Sequence, residues 1–319
     1  MNRRILLALG ILGTVGLSLL PFLWFVLTSF KSQGEIEVAP PAWWPSGNLG
    51  FYRSALFDHH LFDYVLNSVV VAGSTTVLAL LFAIPAAYAL ARLTIPGKQG
   101  ILAVLLCVSM FPQMAIAGPV WRLLDTIGGL NHRWGVVLPY VALTLPLAIW
   151  ILASFFKELP PELEDAARVD GCGPWTTLFR ITLPLATPGI FTAAILILIY
   201  AWNEFFFALL ILTQPEQQTL PVGIALFQGE FTMPWGELAA ASVVATLPLI
   251  VVVLLCQRWI VIGLSAGAVK GSQNVEKDLP AAFSSHVFLR RTRRVRLSHR
   301  ASCGLAWGRA RFNAPGLGG

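Results

Sequence analysis

Six long runs without a charged side chain constrain the fold of this 319-residue chain more than any other feature. They cover residues 5–30, 64–91, 99–121, 134–156, 181–203 and 238–257, and each has 20 residues or more. A helix that rises about 1.5 Å per residue needs about 20 residues to cross roughly 30 Å of hydrocarbon. Backbone groups in lipid must form hydrogen bonds within their own segment, so we expect each run to be a helix. The sequence therefore predicts an all-α integral membrane protein with six transmembrane helices.

The amino-acid composition excludes an ordinary soluble domain. The chain is 56% hydrophobic and only 12% charged, whereas soluble globular domains carry about 25% charged residues. The first apolar run follows Arg3 and Arg4 and imitates a secretory signal. Its 26 uncharged residues exceed a typical signal core, and no A-x-A cleavage site precedes Lys31. We therefore expect this run to remain as the first span.

The net charge of +6 comes from the end of the chain. Residues 273–319 hold nine basic residues against two acidic ones, a net of +7, while residues 1–272 hold 13 against 14, a net of −1. A basic tail can contact anionic lipid or nucleic acid. A disordered extension is the simpler interpretation, and we expect no nucleic-acid partner.

No set of residues in the sequence predicts catalysis, nucleotide binding or metal binding. The four cysteines and five histidines are scattered, without a CxxC pair or the spacing of metal ligands. Gly97-Lys98 lacks the upstream glycine of a P-loop and the Ser or Thr that follows its lysine. We therefore expect neither an enzyme nor a cofactor site in this chain.

Basic residues are distributed unequally over the segments that connect the runs. With a cytoplasmic N-terminus, the inner segments hold nine Lys and Arg residues and the outer segments only four. The inner nine are Arg3, Arg4, Arg92, Lys98, Lys157, Arg168, Arg180, Arg258 and Lys270, and the outer four are Lys31, Arg53, Arg122 and Arg133. Because Lys and Arg favour the cytoplasmic side, we expect both termini and the segment 157–180 to be cytoplasmic.

The segment between the fourth and fifth runs is short, acidic and interrupted. It holds five acidic residues between Glu158 and Asp170. Pro160-Pro161 is expected to end one helix and start the next, and carboxylates that follow directly suit the positive end of a helix. Gly171 allows a break or a turn with positive φ. These residues alone permit two interpretations, an ordinary amphipathic connector or a surface that another protein grips.

The spacing in this segment resembles the EAA loop of binding-protein-dependent ABC importer permeases. Asp165-Ala166-Ala167 is followed after three residues by Gly171, and after nine more by Ile181 and then Leu183-Pro184. Asp165 stands where the family usually has Glu, which keeps the charge but shortens its reach. In that family the loop forms a coupling helix that seats in a cleft of the cytoplasmic ATPase. The resemblance implies this coupling role for Glu164, Asp165, Ala166, Ala167, Gly171, Ile181, Leu183 and Pro184.

Other segments resemble the MalG-like sugar permeases of the same family. They include Ala87-Tyr88-Ala89-Leu90-Ala91-Arg92, Pro96-Gly97-Lys98, Trp202-Asn203-Glu204-Phe205, Thr219-Leu220-Pro221-Val222-Gly223 and an Ala268-Val269-Lys270-Gly271 ending. The resemblance covers residues 5–271 and implies the type I ABC importer permease fold. It divides the chain into a first transmembrane helix with a periplasmic loop at 1–63, a transmembrane core at 64–271 with the EAA loop at 157–188, and a basic tail at 272–319 without an inherited role.

The resemblance also implies a function and a set of partners. The chain is expected to be a permease subunit that translocates a sugar across a bacterial inner membrane, either a di- or oligosaccharide such as maltose or trehalose, or glycerol phosphate. The implied partners are a second, MalF-like permease, a dimeric, MalK-like ATPase that binds ATP and Mg²⁺, an extracytoplasmic sugar-binding protein, and membrane lipid. The alternative is an ion-coupled secondary transporter with Glu204 as its ion-linked carboxylate.

Glu204 adjoins an otherwise uncharged run, next to Trp202 and Asn203. An ionised group within a bilayer costs about 2.5–3.5 kcal/mol on insertion scales, so its side chain should face protein or a water-filled cavity. The amide and carboxylate suit sugar hydroxyls and the indole suits a pyranose face, so one interpretation places these three residues on the substrate path. The other interpretation makes Glu204 a structural partner of a neighbouring helix.

Overall fold

A computed structural model describes residues 3–38, 40, 42–227 and 233–268, and every regular element in these ranges is helical. The basic tail expected at 272–319 and the family-like ending at 269–271 lie outside the described residues. The side chains of residues 258–268 do so too.

The described helices follow one another with short connections. In chain order they are α1 Arg3–Ser29, α2 Gln33–Glu37, α3 Gly50–Arg53, α4 Leu61–Arg92, α5 Lys98–Ser109, α6 Gln113–Thr126, α7 Arg133–Glu158, α8 Glu162–Val169, α9 Pro174–Thr177, α10 Leu183–Leu185, α11 Thr187–Asn203, α12 Phe206–Ile211, α13 Leu220–Ala225 and α14 Trp235–Ala268. Wider π-helical turns occupy Ser54–Asp58 and Leu178–Thr182, and a 3₁₀ turn occupies Pro215–Gln217.

The six predicted spans appear as four continuous helices and two bent pairs. In the described part of the chain, α1, α4, α7 and α14 are each long and apolar enough to cross a membrane. The run expected at 99–121 is divided between α5 and α6, which meet at 89°. The run expected at 181–203 is divided between the segment 174–185 and α11, which meet at 80°. Counting each pair as one span gives the six spans that the charge pattern predicts.

Proline and its neighbours explain both bends. Pro112 caps α6 with φ −66° and ψ 124°, and it offers no N–H with which to continue α5. The second bend lies at Ala186, two residues before Pro188 at the start of α11. Pro184, which the sequence pattern suggested as a stop, instead lies within the helical segment 174–185, shortly after the π-helical turn Leu178–Thr182.

Small side chains allow α4 and α7 to pack closely along their length. The α4–α7 contact is the most extensive between any two described helices. On α4 the buried face carries Ala72, Thr75, Ala79, Ala83 and Ala87, which repeat every three or four residues and therefore share one side of the helix. Helices in membranes associate through such small residues because the backbones can approach closely.

Hydrogen bonds of two asparagine side chains hold the connections at the other end of α4 and α7, opposite α8. The side-chain amide of Asn67 donates to the carbonyls of Glu216 and Gln218 at 2.9 and 2.8 Å. The side-chain oxygen of Asn131 accepts from the backbone N–H groups of Thr213 and Gln214 at 2.8 and 3.1 Å. These bonds fix the segment between α12 and α13, which would otherwise leave backbone groups unpaired.

The connection after α1 is stabilised by a single carboxylate. Glu35 accepts hydrogen bonds from the backbone N–H of Ser32 at 2.7 Å and from the hydroxyl of Ser46 at 2.8 Å. The Ser32 N–H, and after it the Ser46 hydroxyl, lower the pKa of Glu35 below its ordinary value of 4.5. Trp43 and Trp44 in the same connection are exposed. Their exposure is compatible with two roles, contact with the membrane interface and contact with a partner protein.

Candidate functional site

The acidic segment forms the short helix α8 at one end of the bundle. Helix α7 ends at Glu158 and α8 begins after Pro161, as the proline pair predicted. Glu162, Glu164 and Asp165 occupy its first turn, where carboxylates interact favourably with the exposed N–H groups of a helix.

Gly171 ends α8 in a turn that favours glycine. Its φ is +81°, which confirms the predicted turn with positive φ. The N–H of Gly171 bonds to the carbonyl of Arg168 at 3.0 Å, and the N–H of Cys172 bonds to the carbonyl of Ala167 at 2.9 Å. This pair of bonds is a Schellman motif, which satisfies the last carbonyls of a helix. The chain direction after α8 is therefore set by backbone geometry at one glycine.

The two adjacent acidic residues of α8 point in different directions. Glu164 is buried, with 5% of its surface exposed. The side chain of Asp165 is 67% exposed and contacts Arg168 on the same helix at 3.2 Å. Successive residues on a helix are separated by about 100°, so one carboxylate faces the protein and the next faces outward.

Glu164 lies in a buried network that joins three parts of the chain. Its Oε1 accepts from Nε of Arg92, at the end of α4, at 2.8 Å. Thr182, in the π-helical turn, donates to the same oxygen at 3.2 Å, and the hydroxyl of Tyr88 donates to Oε2 at 3.3 Å. Arg92 also donates through Nη2 to the carbonyl of Leu159, just after α7, at 2.9 Å. The resemblance implied an ATPase-coupling role for Glu164. Its side chain is buried here, whereas direct contact with a partner requires a side chain that faces outward.

The exposed residues of this region include apolar and small groups beside the carboxylate of Asp165. We define the exposed loop surface as Asp165, Ala166, Val169, Trp175 and Phe179. Val169 is 88% exposed. The rings of Trp175 and Phe179 stack with centroids 6.2 Å apart and planes 19° apart. Large apolar groups exposed together at the end of a bundle indicate a protein contact or a membrane interface.

The remaining residues of the predicted motif lie between this surface and α11. Ala167 is buried beneath α8, and Gly171 is exposed. Ile181 and Leu183 are half-buried and Pro184 is exposed. They therefore lie at the connection to the fifth span rather than on the exposed loop surface.

A cavity lies beside α11 at the opposite end of the bundle from α8. Its volume is about 250 Å³. Its lining comes from α11, α13 and α14, and consists of Trp202, Asn203, Leu220, Pro221, Ile224, Ser242, Ala245, Thr246 and Leu249. Trp202 and Asn203 were both predicted for the substrate path, and the structure brings them together in one cavity with two hydroxyl groups that the sequence had not singled out.

Glu204 does not line this cavity. It is 7% exposed, and its carboxylate accepts from the hydroxyl of Tyr140 and from the backbone N–H of Phe207, the latter at 3.0 Å. The N–H of Phe207 lies in the first turn of α12, where helix donors lack backbone partners. This geometry supports the structural interpretation of Glu204, as a cap on α12.

Residues that sequence reasoning missed include Tyr88, Arg92 and Thr182. Arg92 was visible as a basic residue that ends a charge-free run of 28 residues, 64–91. Nothing in the linear sequence pairs it with Glu164, because α4 and α8 are joined only through α5 to α7.

The fold and the loop together define a class of protein, the permeases of ATP-binding-cassette importers. A solved structure titled "Crystal structure of a bacterial ABC transporter involved in the import of the acidic polysaccharide alginate" superposes with a TM-score of 0.70. The superposition covers 81% of this chain and 98% of that one, at 22% identity. This likeness establishes the fold.

Two relatives and a family match place the chain within that class. It is 41% identical to the trehalose/maltose transport system permease protein MalG of Thermococcus litoralis, over 84% of this chain and 98% of the relative. It is 40% identical to the sulfoquinovosyl glycerol transport system permease protein SmoH of Agrobacterium fabrum, over 79% and 89%. Residues 76–265 match the family "Binding-protein-dependent transport system inner membrane component". The chain belongs to this family.

Membership confirms the predicted class of function. The chain is a permease subunit of an ABC importer, embedded in an inner membrane and dependent on a binding protein, and it is not itself the catalytic subunit. The comparisons do not support the alternative of an ion-coupled secondary transporter.

Proposed function

We propose that this permease subunit moves a sugar inward, in the class of di- or oligosaccharides such as maltose or trehalose, or a glycerol phosphate. The names of the relatives MalG and SmoH support a sugar or sugar-glycerol substrate. The cavity beside α11 supports it too, because an indole, an amide and two hydroxyl groups are suited to the apolar faces and hydroxyl groups of a sugar.

The exposed loop surface is the observation that carries the coupling mechanism. Asp165 and its apolar neighbours face outward, while the other side of α8 is bonded to the chain's own helices. Such a surface suits a partner with a shallow cleft and a basic group for Asp165. The partner is a pair of ATPase subunits that bind ATP and Mg²⁺. Their closure moves α8, tilts the spans and alternates access to the cavity.

The distribution of basic residues orients the subunit. Nine Lys and Arg residues on one side against four on the other support an orientation with α8 and both termini in the cytoplasm. The opposite connections, in the ranges 31–63, 122–133 and 204–237, then face the extracytoplasmic binding protein. Residues 39, 41 and 228–232 of these connections lie outside the described part. A second permease subunit completes the translocation path.

Co-purification tests the coupling proposal. The chain is expressed with its partner subunits, and the ATP-hydrolysing activity that it retains on an affinity column is measured. We expect this activity to be lost when residues 162–172 are replaced by a flexible linker of equal length. Replacing the exposed neighbours Lys157 and Glu158 by glutamine should preserve it. Retention of the ATPase by the linker variant would refute the coupling role of the loop.

Binding measurements on the cognate extracytoplasmic protein test the substrate class. Trehalose, maltose and glycerol 3-phosphate are titrated separately by calorimetry, with a free amino acid as the comparison ligand. We expect tight binding of a ligand from the sugar set. Tight binding of the amino acid alone would overturn the sugar assignment and leave the importer fold unaffected.

A further inference from the structure

The geometry points to Arg92 and Glu164 as a positioning pair that transmits movement of α8 to the long helix α4. This inference rests on the proposed function, because it assumes that a partner moves α8. It adds a second role to the loop, since Asp165 on the exposed surface meets the partner and Glu164 carries the displacement inward.

The described hydrogen bonds between α8 and α4 all involve the carboxylate of Glu164. Arg92 and Tyr88 both lie on α4, and both donate to Glu164. Helix α8 otherwise packs on α9 and on the π-helical turn. Among the described hydrogen bonds, the carboxylate of Glu164 therefore gives a displacement of α8 its direct connection to α4.

Burial makes the link stiff. The side chains of Arg92 and Glu164 are only 11% and 6% exposed, so water cannot readily replace either partner. Removing one member of a buried ion pair leaves the other charge without compensation. The pair therefore stays closed while α8 moves, and α4 has to follow.

The guanidinium group of Arg92 also binds the segment that follows α7. Arg92 uses Nε for Glu164 and Nη2 for the carbonyl of Leu159, at 2.8 and 2.9 Å. Leu159 lies between α7 and α8, so one guanidinium group holds α4 to both ends of the α7–α8 connection. A lysine offers a single ammonium group instead of a planar fork and cannot reproduce this geometry.

The helix that receives the displacement reaches into both halves of the core. Helix α4 packs along α7 and α11, and its far end is bonded through Asn67 to the segment before α13. The Trp202 cavity includes Leu220 and Ile224 of α13. A movement of α4 that starts at its α8 end is therefore transmitted to one wall of that cavity.

A spin-label experiment on the complete importer tests this inference without knowledge of the sugar. The four natural cysteines are replaced by serine, and labels are attached at Phe62→Cys and Met233→Cys, two exposed positions at the far ends of α4 and α14. The label distance is measured without nucleotide and with Mg-ATP plus vanadate, and ATP hydrolysis is measured on the same samples.

We expect the unaltered complex to change its label distance when nucleotide is trapped. In Glu164→Gln the complex should still assemble and hydrolyse ATP, but the ratio of shifted to unshifted molecules should fall about fivefold or more. The charge-exchanged double variant Arg92→Glu/Glu164→Arg should recover part of the shift, because it restores the ion pair but not the bond to the Leu159 carbonyl. Glu158→Gln, the same substitution at an exposed position on the end of α7, should behave like the unaltered complex.

Three outcomes would overturn the inference. One is a full distance change in Glu164→Gln. Another is a loss in that variant that the double variant does not even partly restore. The third is a purely structural role, in which assembly and ATP hydrolysis fall together while the complexes that do assemble still show the full change in label distance.

If Glu164→Gln does not assemble, the neutral pair Arg92→Gln/Glu164→Gln replaces it, and a full change in label distance in that variant contradicts the inference. If the unaltered chain retains no ATPase, the proposed function itself fails, which is a separate result.

Discussion

Gly171 allows the loop geometry to be tested by a graded series of substitutions. A Cβ atom added at this position meets no heavy atom within 4 Å, and φ is +81°. A side chain at this position therefore raises the free energy of the turn through the strained backbone conformation alone, and not through a steric clash. Alanine in the left-handed region costs about 1–2 kcal/mol, and asparagine tolerates it better. A β-branched residue such as valine should cost more than alanine.

The cost should appear in the two hydrogen bonds that close the turn. These are the bonds from Gly171 N–H to Arg168 and from Cys172 N–H to Ala167. A penalty of one to two kcal/mol lowers the ratio of closed to open turns about 5- to 30-fold. We expect amide hydrogen exchange at Cys172 to accelerate by that factor in Gly171→Ala, less in Gly171→Asn and more in Gly171→Val. Transport per ATP hydrolysed should fall in the same order.

Gly173 offers a matched control two residues away. A Cβ atom there also meets nothing within 4 Å, but φ is −73°, which any residue adopts. Gly173→Ala should leave exchange at Cys172 nearly unchanged. Equal behaviour of Gly171→Val and Gly173→Ala would show that the left-handed turn does not set the loop geometry, and the reasoning would be wrong.

Three further predictions concern packing, a buried cap and an external carboxylate. Gly189→Ala should lower the thermal unfolding temperature of the purified subunit by overpacking against the ring of Phe155, at a cost of about 1–3 kcal/mol. Glu204→Ala should destabilise by about 1–3 kcal/mol for each buried donor that loses its partner, measured in the same thermal assay. The stabilisation from Glu35 should be complete above the ordinary pKa of 4.5 and lost as pH falls through its lowered value, so proteolysis of residues 32–46 should accelerate in acid.

Each of these predictions has a control within the chain. Gly118→Ala adds a methyl group inside α6 where nothing lies within 4 Å, and since alanine favours a helix over glycine, it should not lower the melting temperature. Asn203→Ala, at the exposed cavity position beside Glu204, should alter transport rather than thermal stability. If instead Asn203→Ala lowered stability and Glu204→Ala altered only transport, Glu204 would be the residue on the substrate path. In Glu35→Gln the acid-dependent acceleration should disappear, and a persistent acceleration would attribute it to another group.

The sequence predicted the long elements because their physics is local. A charge-free run of sufficient length must be helical in lipid wherever it lies in the chain, so all six runs correspond to helices. The turn at Gly171 was also predictable, because a glycine that follows an acidic helical segment signals a C-terminal cap. Pro112 identifies the bend between α5 and α6 once the structure is known, but proline also lies inside the continuous helix α7, so proline alone does not predict a break between helices.

The arrangement of the site was less predictable because it depends on contacts between distant parts of the chain. Glu164 and Asp165 are neighbours with the same charge, and only the rotation of α8 against α4 decides which of them is buried. In the same way, Glu204 was predictable as a residue in need of a partner, but Tyr140 and the donors of α12 could not be identified without the fold. Ser242 and Thr246 were missed since nothing local separates them from other hydroxyl groups in apolar helices.

The inward-facing Glu164 and the outward-facing Asp165 of α8 separate two kinds of substitution. Under the proposed mechanism, substitutions at Asp165, Ala166 or Val169 would alter which ATPase the subunit binds, whereas substitutions at Glu164 would alter how the movement of α8 reaches α4. An importer could therefore be adapted to a different ATPase by exchanging a few exposed side chains of α8, while the hydrogen bonds of Glu164 are retained.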